Sequence, residues 1–486
     1  MMRVVQDKKP KPKGPERPIS KKFRYGIRHF EEGVTFMGRS QFAEAAACFE
    51  RALKKDRRNA GLLFYLGACL CNMDETARGL RLLRESLSIK PDEPNRWWNY
   101  ANFLYFAGEL EEAGRVMRRA IDMQPGKVNP MYNYCTMSNA GPDDPIVHRL
   151  EARLEDEGLS RLDRSFVHYG LAKVYDRAKQ HDRAFEQALL GGAAYGVECN
   201  LDDENVERII RANTREALTR RPCGGNPTEA PVFILGMPRS GTTFTETVLS
   251  RHRDVLAAGE LSGCRTAEIL AMNWAAQNTP ISNAFESVRT IVPQVEEVAA
   301  QYLLDQVRGF APGREFRRFT DKLPENVFRL GLISRMFPNA RVVVIHRHPL
   351  DNCVSCLFQR FNDIQYSYTN TIETLATQYR AYQKVLAHWR EVLPLRMHEV
   401  VYEDMVADFE THVRRLVSFL DLEWDPACLD PAGSTRAVRT ASAAQVREGV
   451  NSRSVDKWKR YGARIGPLVE ALGGMEQIEA WARPRG

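Results

Sequence analysis

Residues 236–243, with the sequence GMPRSGTT, have the residue types and spacing that bind an anion. An apolar run at 232–235 precedes them and predicts a buried parallel strand, and a helical apolar pattern begins after them at Phe244. A glycine-bounded turn between a strand and a helix directs backbone N–H groups and the positive helix end toward a negative charge. The stretch therefore predicts a phosphate-type site, with an ordinary strand–turn–helix corner as the alternative.

The same loop differs from the loops of nucleoside-triphosphate enzymes at one position. The pattern G-x-x-x-x-G-K-[ST] is matched at Gly236, Gly241 and Thr243, but Thr242 stands where the lysine belongs. That lysine normally contacts the β- and γ-phosphates beside a magnesium ion. A kinase or NTPase is therefore disfavoured and stays a second hypothesis.

Three further segments place polar residues after or between predicted strands, where open α/β sheets bind their ligands. Glu260 follows the helix of the loop, and a carboxylate there could accept a proton from a substrate. Lys322 lies in the segment FTDKLP, and its cation could stabilise a departing anion. Arg347 follows the carboxyl end of the apolar run 342–345. An arginine can bind a phosphate through two nitrogens at once. His252 is a rival to Glu260 as the base, although a histidine at a helix end commonly caps the helix.

Residues 26–127 repeat with a period of 34. When 26–59, 60–93 and 94–127 are aligned, small and large residues recur in columns. The columns are Gly33, Gly67 and Ala101; Ala45, Gly79 and Ala113; Ala52, Ser86 and Ala120; and Phe49, Leu83 and Met117. This pattern resembles the tetratricopeptide repeat, in which small residues let paired helices approach and a larger apolar residue fills the gap. Residues 163–192 resemble a degenerate further unit.

The pattern predicts three parts: a tail at 1–24, an all-α repeat solenoid at 25–220 and an α/β domain at 228–486, joined by a Pro/Gly-rich linker. The repeats either form a groove for a protein or peptide or act as a scaffold that stabilises the second domain. The tail holds nine basic and two acidic residues, so it accounts for the whole net charge of +7. The charges of the remaining residues balance to about zero, and we therefore expect no nucleic-acid partner. We expect the tail to be disordered, as a solubilising segment or as an arm for an acidic partner or membrane surface.

The composition is that of a soluble protein, with 43% hydrophobic and 27% charged residues in 486. No apolar run approaches the roughly 18 residues of a membrane span, and no apolar stretch follows the basic start as in a signal peptide. The ten cysteines are scattered, and Cys353 and Cys356 form one C-x-x-C pair without a second pair at zinc spacing. We therefore expect no metal site and a reducing, cytoplasmic location.

These separated motifs, in this order, resemble one family. From about residue 230 onward the chain is similar to the sulfotransferases and in particular to the tyrosylprotein sulfotransferases. With the repeats, it resembles a bacterial tetratricopeptide-repeat sulfotransferase. The resemblance implies a P-loop-like α/β domain with a parallel sheet, which uses PAPS (3′-phosphoadenosine 5′-phosphosulfate) as co-substrate without a metal. A sulfuryl group carries less charge than a terminal phosphate, so hydroxyls and Arg239 could suffice where a kinase needs a lysine.

The resemblance also implies roles for single residues. Glu260 is the base that takes the proton of the acceptor hydroxyl, and Lys322, Ser442 and Arg239 stabilise the charge that leaves with the nucleotide. Arg347 and Ser355 hold the 3′-phosphate. The full set of expected donor-binding residues is Pro238, Arg239, Ser240, Gly241, Thr242, Thr243, Arg347, Ser355, Tyr402, Gln445, Val446, Asn451 and Lys457.

Two positions weaken this pattern. The family carries another arginine four residues after the serine, where this chain has Gln359 followed by Arg360, so one phosphate contact is in doubt. Tyr402 is as compatible with a core position as with a contact to the donor. The string at 442–458 has little helical or strand pattern, which favours a lid over the nucleotide.

Three functions stay open on the sequence: a PAPS-dependent sulfotransferase, a P-loop kinase or NTPase, and a non-catalytic repeat scaffold. The first is favoured, with in-line transfer to a protein tyrosine that a repeat groove could bind. A carbohydrate or a small phenol is the alternative acceptor, because the tyrosylprotein enzymes are membrane-anchored secretory proteins and no such anchor is seen here. A homodimer is compatible with both kinds of domain.

Overall fold

A computed structural model describes residues 21–38, 41–73, 75–196, 203–278, 289–311, 313–433 and 452–483. Contacts between residues divide the chain into two compact units. The first is Met1–Asn139 with Phe361–Tyr366, and the second is Ala140–Arg360 with Ser367–Gly486. The fourth predicted repeat therefore groups with the sheet, whereas the sequence pattern places a domain boundary at 220–228. Within the described ranges, no helix is both long enough and apolar enough to cross a bilayer.

The first unit consists of paired helices. In chain order they are α1 (Lys21–Gly38), α2 (Phe42–Leu53), α3 (Ala60–Asn72), α4 (Thr76–Ile89), α5 (Pro94–Ala107), α6 (Leu110–Met123) and α7 (Val128–Met137). Helices α3 and α5 begin at the first residues of the second and third predicted units, which confirms the 34-residue period. Helix α1 begins at Lys21, four residues before the predicted start of the solenoid at residue 25. The last proline of the tail is Pro18, so no proline interrupts the helix. Residues 1–20 of the predicted tail lie outside the described residues.

Small residues lie where the paired helices touch. A Cβ atom on Gly67 would lie 2.9 Å from Cγ of Leu83, and one on Gly79 would lie 2.7 Å from the Gly67 carbonyl oxygen. No larger side chain fits at either position. The large column of Phe49, Leu83 and Met117 is fully buried. The packing that the repeat pattern predicts is therefore confirmed.

The second unit begins with helices that precede the sheet. They are α8 (Pro145–Ala152), α9 (Arg161–Arg177), α10 (His181–Tyr195), α11 (Asp203–Ala212) and α12 (Arg215–Thr219). Helices α9 and α10 form the hairpin of the predicted degenerate repeat. The hairpin packs against the rest of its unit at Gly192, where a Cβ atom would lie 1.9 Å from the Asn370 carbonyl oxygen. The Tyr169 hydroxyl also donates to Oδ1 of Asn370 at 3.3 Å.

A five-stranded parallel sheet forms the centre of the second unit. Its strands are β1 (Pro231–Gly236), β2 (Val255–Ala257), β3 (Arg318–Asp321), β4 (Arg341–His346) and β5 (Arg396–Val401), in the spatial order β2-β3-β1-β4-β5. Every residue of β1 and β4 is buried, as expected for parallel strands that helices cover on both faces. The predicted α/β class and the strands predicted at 232–235 and 342–345 are confirmed.

Helices and 3₁₀ turns connect and follow the strands. The helices are α13 (Thr242–Ser250), α14 (Gly263–Asn278), α15 (Pro293–Phe310), α16 (Leu330–Met336), α17 (Pro349–Leu357), α18 (Ile372–Val392), α19 (Tyr402–Ala407), α20 (Phe409–Phe419), α21 (Gly466–Ala471) and α22 (Met475–Ala482). A 3₁₀ segment, Lys457–Ile465, precedes α21. Helix α13 begins two residues before the apolar pattern at Phe244, because Gly241 caps it directly after the loop.

Candidate active site

The predicted site residues follow four neighbouring strand ends. In the spatial order β2, β3, β1 and β4, the strands lead to Glu260, Lys322, the loop 237–241 and Arg347. Because all of these strands are parallel, their carboxyl ends lie at one edge of the sheet, where ligands of open α/β sheets bind. The topology therefore brings together residues from four separate motifs.

The loop between β1 and α13 has a backbone that few residues adopt. Arg239 has a φ of 69°, which is uncommon for a residue with a side chain, and Gly241 has a φ of 110°. A Cβ atom on Gly241 would lie 2.6 Å from Cδ2 of Tyr402, so the ring lies directly against the loop. On the other side, the Asn352 side-chain amide donates to the Pro238 carbonyl oxygen at 2.8 Å. The loop is thus fixed between α17 and the ring of Tyr402.

Arg347 and Arg239 connect the loop to its neighbours. Nη1 of Arg347 donates to the Arg239 carbonyl oxygen at 2.8 Å, and Nη2 donates to the Ser454 carbonyl oxygen at 2.6 Å. The guanidinium of Arg347 also lies over the Tyr402 ring, 5.3 Å from its centroid. Nε of Arg239 donates to Oγ of Ser355 at 3.1 Å. Two of the residues predicted to hold the donor, Arg347 and Ser355, therefore both contact Arg239.

Two of the buried hydrogen-bond donors at this edge have no acceptor in the part of the chain that the structure describes. They are Oγ of Ser240, in the loop, and Nε of Arg347. A buried hydrogen-bond donor without a hydrogen-bond acceptor is unfavourable, so a ligand or an ordered water is expected to bind it. Both atoms can donate a hydrogen bond and both lie beside cationic groups, so they suit an anion.

Lys322 and Glu260 form an ion pair across the ends of β3 and β2. Nζ of Lys322 donates to Oε1 of Glu260, and the Lys322 N–H donates to the Gly259 carbonyl oxygen at 2.7 Å. The lysine side chain is 2% exposed, whereas the glutamate side chain is 44% exposed. A carboxylate that solvent can reach therefore lies next to a buried cation.

A buried glutamate on α13 holds the backbone just before Glu260. Oε1 of Glu246 accepts from the Gly259 N–H at 2.9 Å and from the Thr320 hydroxyl at 2.7 Å. These bonds tie the turn that carries Glu260 to strand β3 and to α13, the helix that follows the loop 237–241, which we call the anion loop. The role of Glu246 is not predicted above; a charge inside the buried helix of the loop is the sequence signal that could have indicated it.

Asp321 holds the backbone just after Glu260. Its Oδ1 accepts from the Leu261 N–H at 3.3 Å, and its Oδ2 accepts from the Asn326 amide at 3.1 Å and from the Cys264 thiol at 3.7 Å. Burial raises the pKa of Asp321 to about 7 despite these hydrogen bonds. The carboxyl before Lys322 therefore positions the turn of Glu260 and is largely protonated in mildly acidic solution.

This part of the sequence matches a family of known function. Residues 231–426 match the model of the sulfotransferase family, and the match covers β1, the anion loop and the segments of Glu260, Lys322 and Arg347. Residues 231–426 form a sulfotransferase domain. The resemblance inferred from the motifs is confirmed at this level.

Some relatives of the sulfotransferase domain match this chain over more residues than the family model does. An uncharacterized protein of Aquifex aeolicus (strain VF5) is 30% identical over 406 residues, which are 82% of this chain and 53% of that one. The protein-tyrosine sulfotransferase of Drosophila melanogaster is 25% identical over 297 residues, 57% of this chain and 55% of that one. The chain thus spans about half the length of these two relatives. A solved sulfotransferase domain from the Synechococcus PCC 7002 olefin synthase covers 55% of this chain and 99% of its own, with 18% identity and a TM-score of 0.38.

His252 of the sulfotransferase domain uses both ring nitrogens for backbone contacts. Nδ1 accepts from the Asp254 N–H at 3.1 Å, so Nε2 carries the proton and donates to the Glu423 carbonyl oxygen at 2.8 Å. The ring is buried and neither nitrogen is available to accept a proton from a substrate. Among the two candidate bases, Glu260 is the one that solvent can reach.

The C-x-x-C pair of the sulfotransferase domain lies on α17. Burial raises the pKa of Cys353 and that of Cys356, the latter to about 12, so both are protonated thiols at neutral pH. The Cys356 thiol donates to the Pro238 carbonyl oxygen at 3.2 Å. This cysteine therefore helps to hold the anion loop.

Lys457, another residue predicted to bind the sulfuryl donor, contacts a helix that precedes the sheet. Lys457 forms an ion pair with Asp176 of α9, with 2.9 Å between Nζ and Oδ2. Arg360, next to Gln359, places its guanidinium over the Phe166 ring at 3.9 Å. Four of the predicted residues lie outside the described residues, and these are Ser442, Gln445, Val446 and Asn451.

The Gly241→Ala variant should lose donor binding. The new Cβ would overlap the Tyr402 ring, and alanine at this φ adds about 1–3 kcal/mol of backbone strain. We expect the dissociation constant for adenosine 3′,5′-bisphosphate, measured by calorimetry, to rise at least about tenfold. Gly309→Ala is the control, because Gly309 lies in α15 with open space around its Cα. Equal affinities of the two variants would show that the loop conformation does not matter for binding.

The Asp321→Asn variant should change how stability depends on pH. In the unfolded chain Asp321 ionises near pH 4, whereas in the folded protein it keeps its proton up to about pH 7. Between these values the folded state binds one more proton, so this group lowers the unfolding free energy by about 1.4 kcal/mol per pH unit as pH rises. Urea titrations at pH 5 and pH 7 should show this slope in the wild type and a smaller one in the variant. Parallel pH dependences of the two proteins would contradict the assignment.

Proposed function

We propose that this protein transfers the sulfuryl group of PAPS to an acceptor hydroxyl, with a protein tyrosine as the acceptor. One observation carries the proposal: the exposed Glu260 carboxylate is paired with the buried Lys322 ammonium, at the same sheet edge as an anion loop that has no lysine. A base and a fixed cation beside an anion site are what group transfer to a hydroxyl requires.

The residues at this edge fit the donor. Ser240 and Arg347 each have a buried donor atom that lacks a protein acceptor within the described ranges, as an anion-binding group requires. The loop residues 238–243 are proposed to hold the 5′-phosphosulfate, and Arg347 with Ser355 the 3′-phosphate. Tyr402, Lys457, Gln445, Val446 and Asn451 complete the proposed donor site. When bound, PAPS supplies a sulfuryl group on a nucleotide leaving group.

The proposed chemistry divides between four side chains. Glu260 accepts the proton of the acceptor hydroxyl, whose oxygen forms the new bond to sulfur. Lys322 and Arg239, with Ser442, stabilise the negative charge on the phosphate oxygen that the broken S–O bond leaves behind. The products are a sulfate ester and adenosine 3′,5′-bisphosphate, and fixed cations take the place of a metal ion.

The proposed acceptor rests on the relatives and on the repeats. Several relatives of the domain are named protein-tyrosine sulfotransferases, among them the Drosophila melanogaster protein. A phenol loses its proton more readily than an aliphatic alcohol, so a carboxylate is a sufficient base for tyrosine. The helix pairs of residues 21–137 are the kind of surface that binds peptides, and we propose that they contribute to the binding of a protein acceptor.

Transfer from sulfur-labelled PAPS tests the proposal. The full chain is incubated separately with a tyrosine-containing peptide, a simple phenol and an oligosaccharide, and the label in each acceptor is counted. We expect label on the peptide and weaker label on the phenol. Label on the oligosaccharide alone would replace tyrosine by a carbohydrate acceptor, and no label with any acceptor would contradict the enzyme assignment.

Two further features belong to the proposal. A cytoplasmic location agrees with the nine cysteines of the described residues, all of which are free thiols, the form expected in a reducing compartment. A homodimer agrees with both domain types. Size-exclusion chromatography with light scattering distinguishes a dimer from a monomer directly.

A further inference from the structure

A histidine, a glutamate and a cysteine lie together between the first two helices of the first unit. His29 and Glu32 are three residues apart on α1 and therefore share one face of that helix. Cys48 is on α2 and is 5% exposed. One nitrogen, one oxygen and one sulfur atom of the three side chains all lie within 4.8 Å of one another. The packing of α1 on α2 thus brings three metal-ligating side chains to one place.

The two helices touch directly at this position. A Cβ atom on Gly33 would lie 2.6 Å from Cε1 of Phe49, the residue after Cys48. The rings of Phe30 and Phe49 also pack, with their centroids 6.1 Å apart, and Phe30 is the residue after His29. These contacts fix the distance between the two backbones that carry the three side chains.

The geometry of His29 and Glu32 is close to that of two ligands on one metal ion. Nδ1 of His29 lies 3.1 Å from Oε2 of Glu32. Zinc binds nitrogen and oxygen at about 2.0–2.2 Å, so two such ligands of a tetrahedral zinc ion are ~3.4 Å apart. The other carboxylate oxygen, Oε1, accepts from Nε of Arg28 at 2.9 Å. Oε2 can therefore bind a metal while Oε1 keeps its contact with Arg28, which orients the carboxylate.

The combination of nitrogen, oxygen and sulfur atoms favours one kind of metal ion. Magnesium and calcium prefer oxygen ligands, whereas an imidazole and a thiolate together suit zinc. Burial and the negative charge of Glu32 raise the pKa of Cys48, so its thiol keeps its proton when no cation is bound. A divalent cation between the carboxylate and the sulfur compensates both charges and makes the thiolate the stable form.

We propose that His29, Glu32 and Cys48 bind a zinc ion, which links α1 to α2. The separations of up to 4.8 Å between the ligand atoms close by about 1 Å on binding. The Glu32 side chain has room to move because it is 37% exposed. A water molecule takes the fourth position of a tetrahedral ion.

The zinc ion acts as a cross-link within the first predicted repeat, because the free energy of metal binding adds to the stability of the folded helix pair. The spacing of the cysteines gives no indication of this site, since its ligands come from two helices and include only one cysteine. The three ligands belong to the first unit, whereas Glu260 and Lys322 belong to the second. The inference therefore does not depend on the proposed sulfuryl transfer.

Zinc titration of the full chain tests the inference, with calorimetry as the readout after a chelator has removed bound metal. We expect the wild type to bind zinc with a dissociation constant below about 1 μM. Cys48→Ser and Glu32→Gln should each raise this constant at least about tenfold, because each removes one of three ligands. Glu32→Gln changes a partly exposed side chain, so it provides the test if Cys48→Ser does not fold.

Two matched controls separate the site from general effects of charge and burial. Glu31→Gln removes the same charge from the next residue of α1, which is exposed and is not one of the three grouped side chains. Cys135→Ser replaces another buried cysteine of the first unit. Both controls should bind zinc as tightly as the wild type does.

Cobalt in place of zinc shows whether the thiol is a ligand. A cobalt–thiolate bond gives a charge-transfer absorption in the near ultraviolet. We expect this absorption in the wild type and in Cys135→Ser, and we expect Cys48→Ser to lack it.

Two results would overturn the inference. One is a wild type that binds zinc no more tightly than about 10 μM, and the other is a set of Cys48→Ser and Glu32→Gln variants with the zinc affinity of their controls. Neither result affects the proposed function, because the transfer of label from PAPS is measured separately and without added zinc.

Discussion

Replacing Lys322 by methionine should lower kcat for sulfuryl transfer by about 10²–10³-fold. Lys322 is a buried cation at the end of β3, next to the anion loop on β1, so its charge acts at low dielectric where the leaving group is proposed to lie. Methionine has nearly the same length and keeps the packing. The loss should therefore appear in turnover and not in folding.

The comparison of kcat with nucleotide affinity shows whether this role is correct. Because Lys322 is proposed to act on charge that develops during the reaction, the dissociation constant for adenosine 3′,5′-bisphosphate should change far less than kcat. Lys384→Met provides a matched control for the loss of one lysine charge at an exposed position. A Lys322→Met enzyme with wild-type turnover would exclude Lys322 from the chemistry.

Replacing Glu260 by glutamine should lower kcat by about 10²–10⁴-fold, the usual contribution of a general base. The amide keeps the shape of the side chain and its hydrogen bond from Lys322, but it cannot take up the acceptor's proton. Its neighbours Gly259 and Leu261 stay bonded to Glu246 and Asp321, so the turn should keep its conformation.

Steady-state rates with a tyrosine peptide measure this effect. Glu410→Gln on α20 is the control, because Glu410 is an exposed glutamate paired with Arg414 on the same helix. Since Glu260 and Lys322 form one ion pair, the double variant should be little slower than the slower single variant. Fully additive losses would show that the two side chains act separately, and an active Glu260→Gln enzyme would exclude it as the base.

The parts of the fold that follow from local sequence patterns could be predicted. The apolar runs at 232–235 and 342–345 become β1 and β4, and the 34-residue period gives helices that begin at residues 60 and 94. These patterns depend on residues that lie close together in the chain. The common position of Glu260, Lys322 and Arg347 at one edge follows from these strands, because the carboxyl ends of parallel strands lie at the same edge of the sheet.

Contacts between distant parts of the chain could not be predicted in the same way. Glu246 supports the turn of Glu260 through the Gly259 N–H, and its importance depends on the pairing of β2 with β3. Asp176 lies in a segment with a repeat pattern, which gives no indication that its helix α9 contacts the 3₁₀ segment Lys457–Ile465. The approach of α9 to Lys457 is a tertiary contact over more than 250 residues of chain.

The hairpin of α9 and α10 lies in a different part of the chain's division than the linker near residue 220 indicates. A cut at the linker near 220 would separate α9 and α10 from the sheet, although they share one compact unit. The Gly192 contact with the backbone of Asn370 has no room for a side chain, which is typical of a permanent interface. In this chain the last repeat is therefore part of the same compact unit as the sheet.

The central claim is that the lysine-free loop binds a nucleotide with a phosphate on its ribose. Calorimetric titration of the full chain with adenosine 3′,5′-bisphosphate, and with ADP in the presence and absence of magnesium, tests this claim most directly. We expect the bisphosphate to bind at least tenfold more tightly than ADP, whether or not magnesium is present. Tighter binding of ADP, with an affinity that depends on magnesium, would contradict the account and favour a kinase or NTPase.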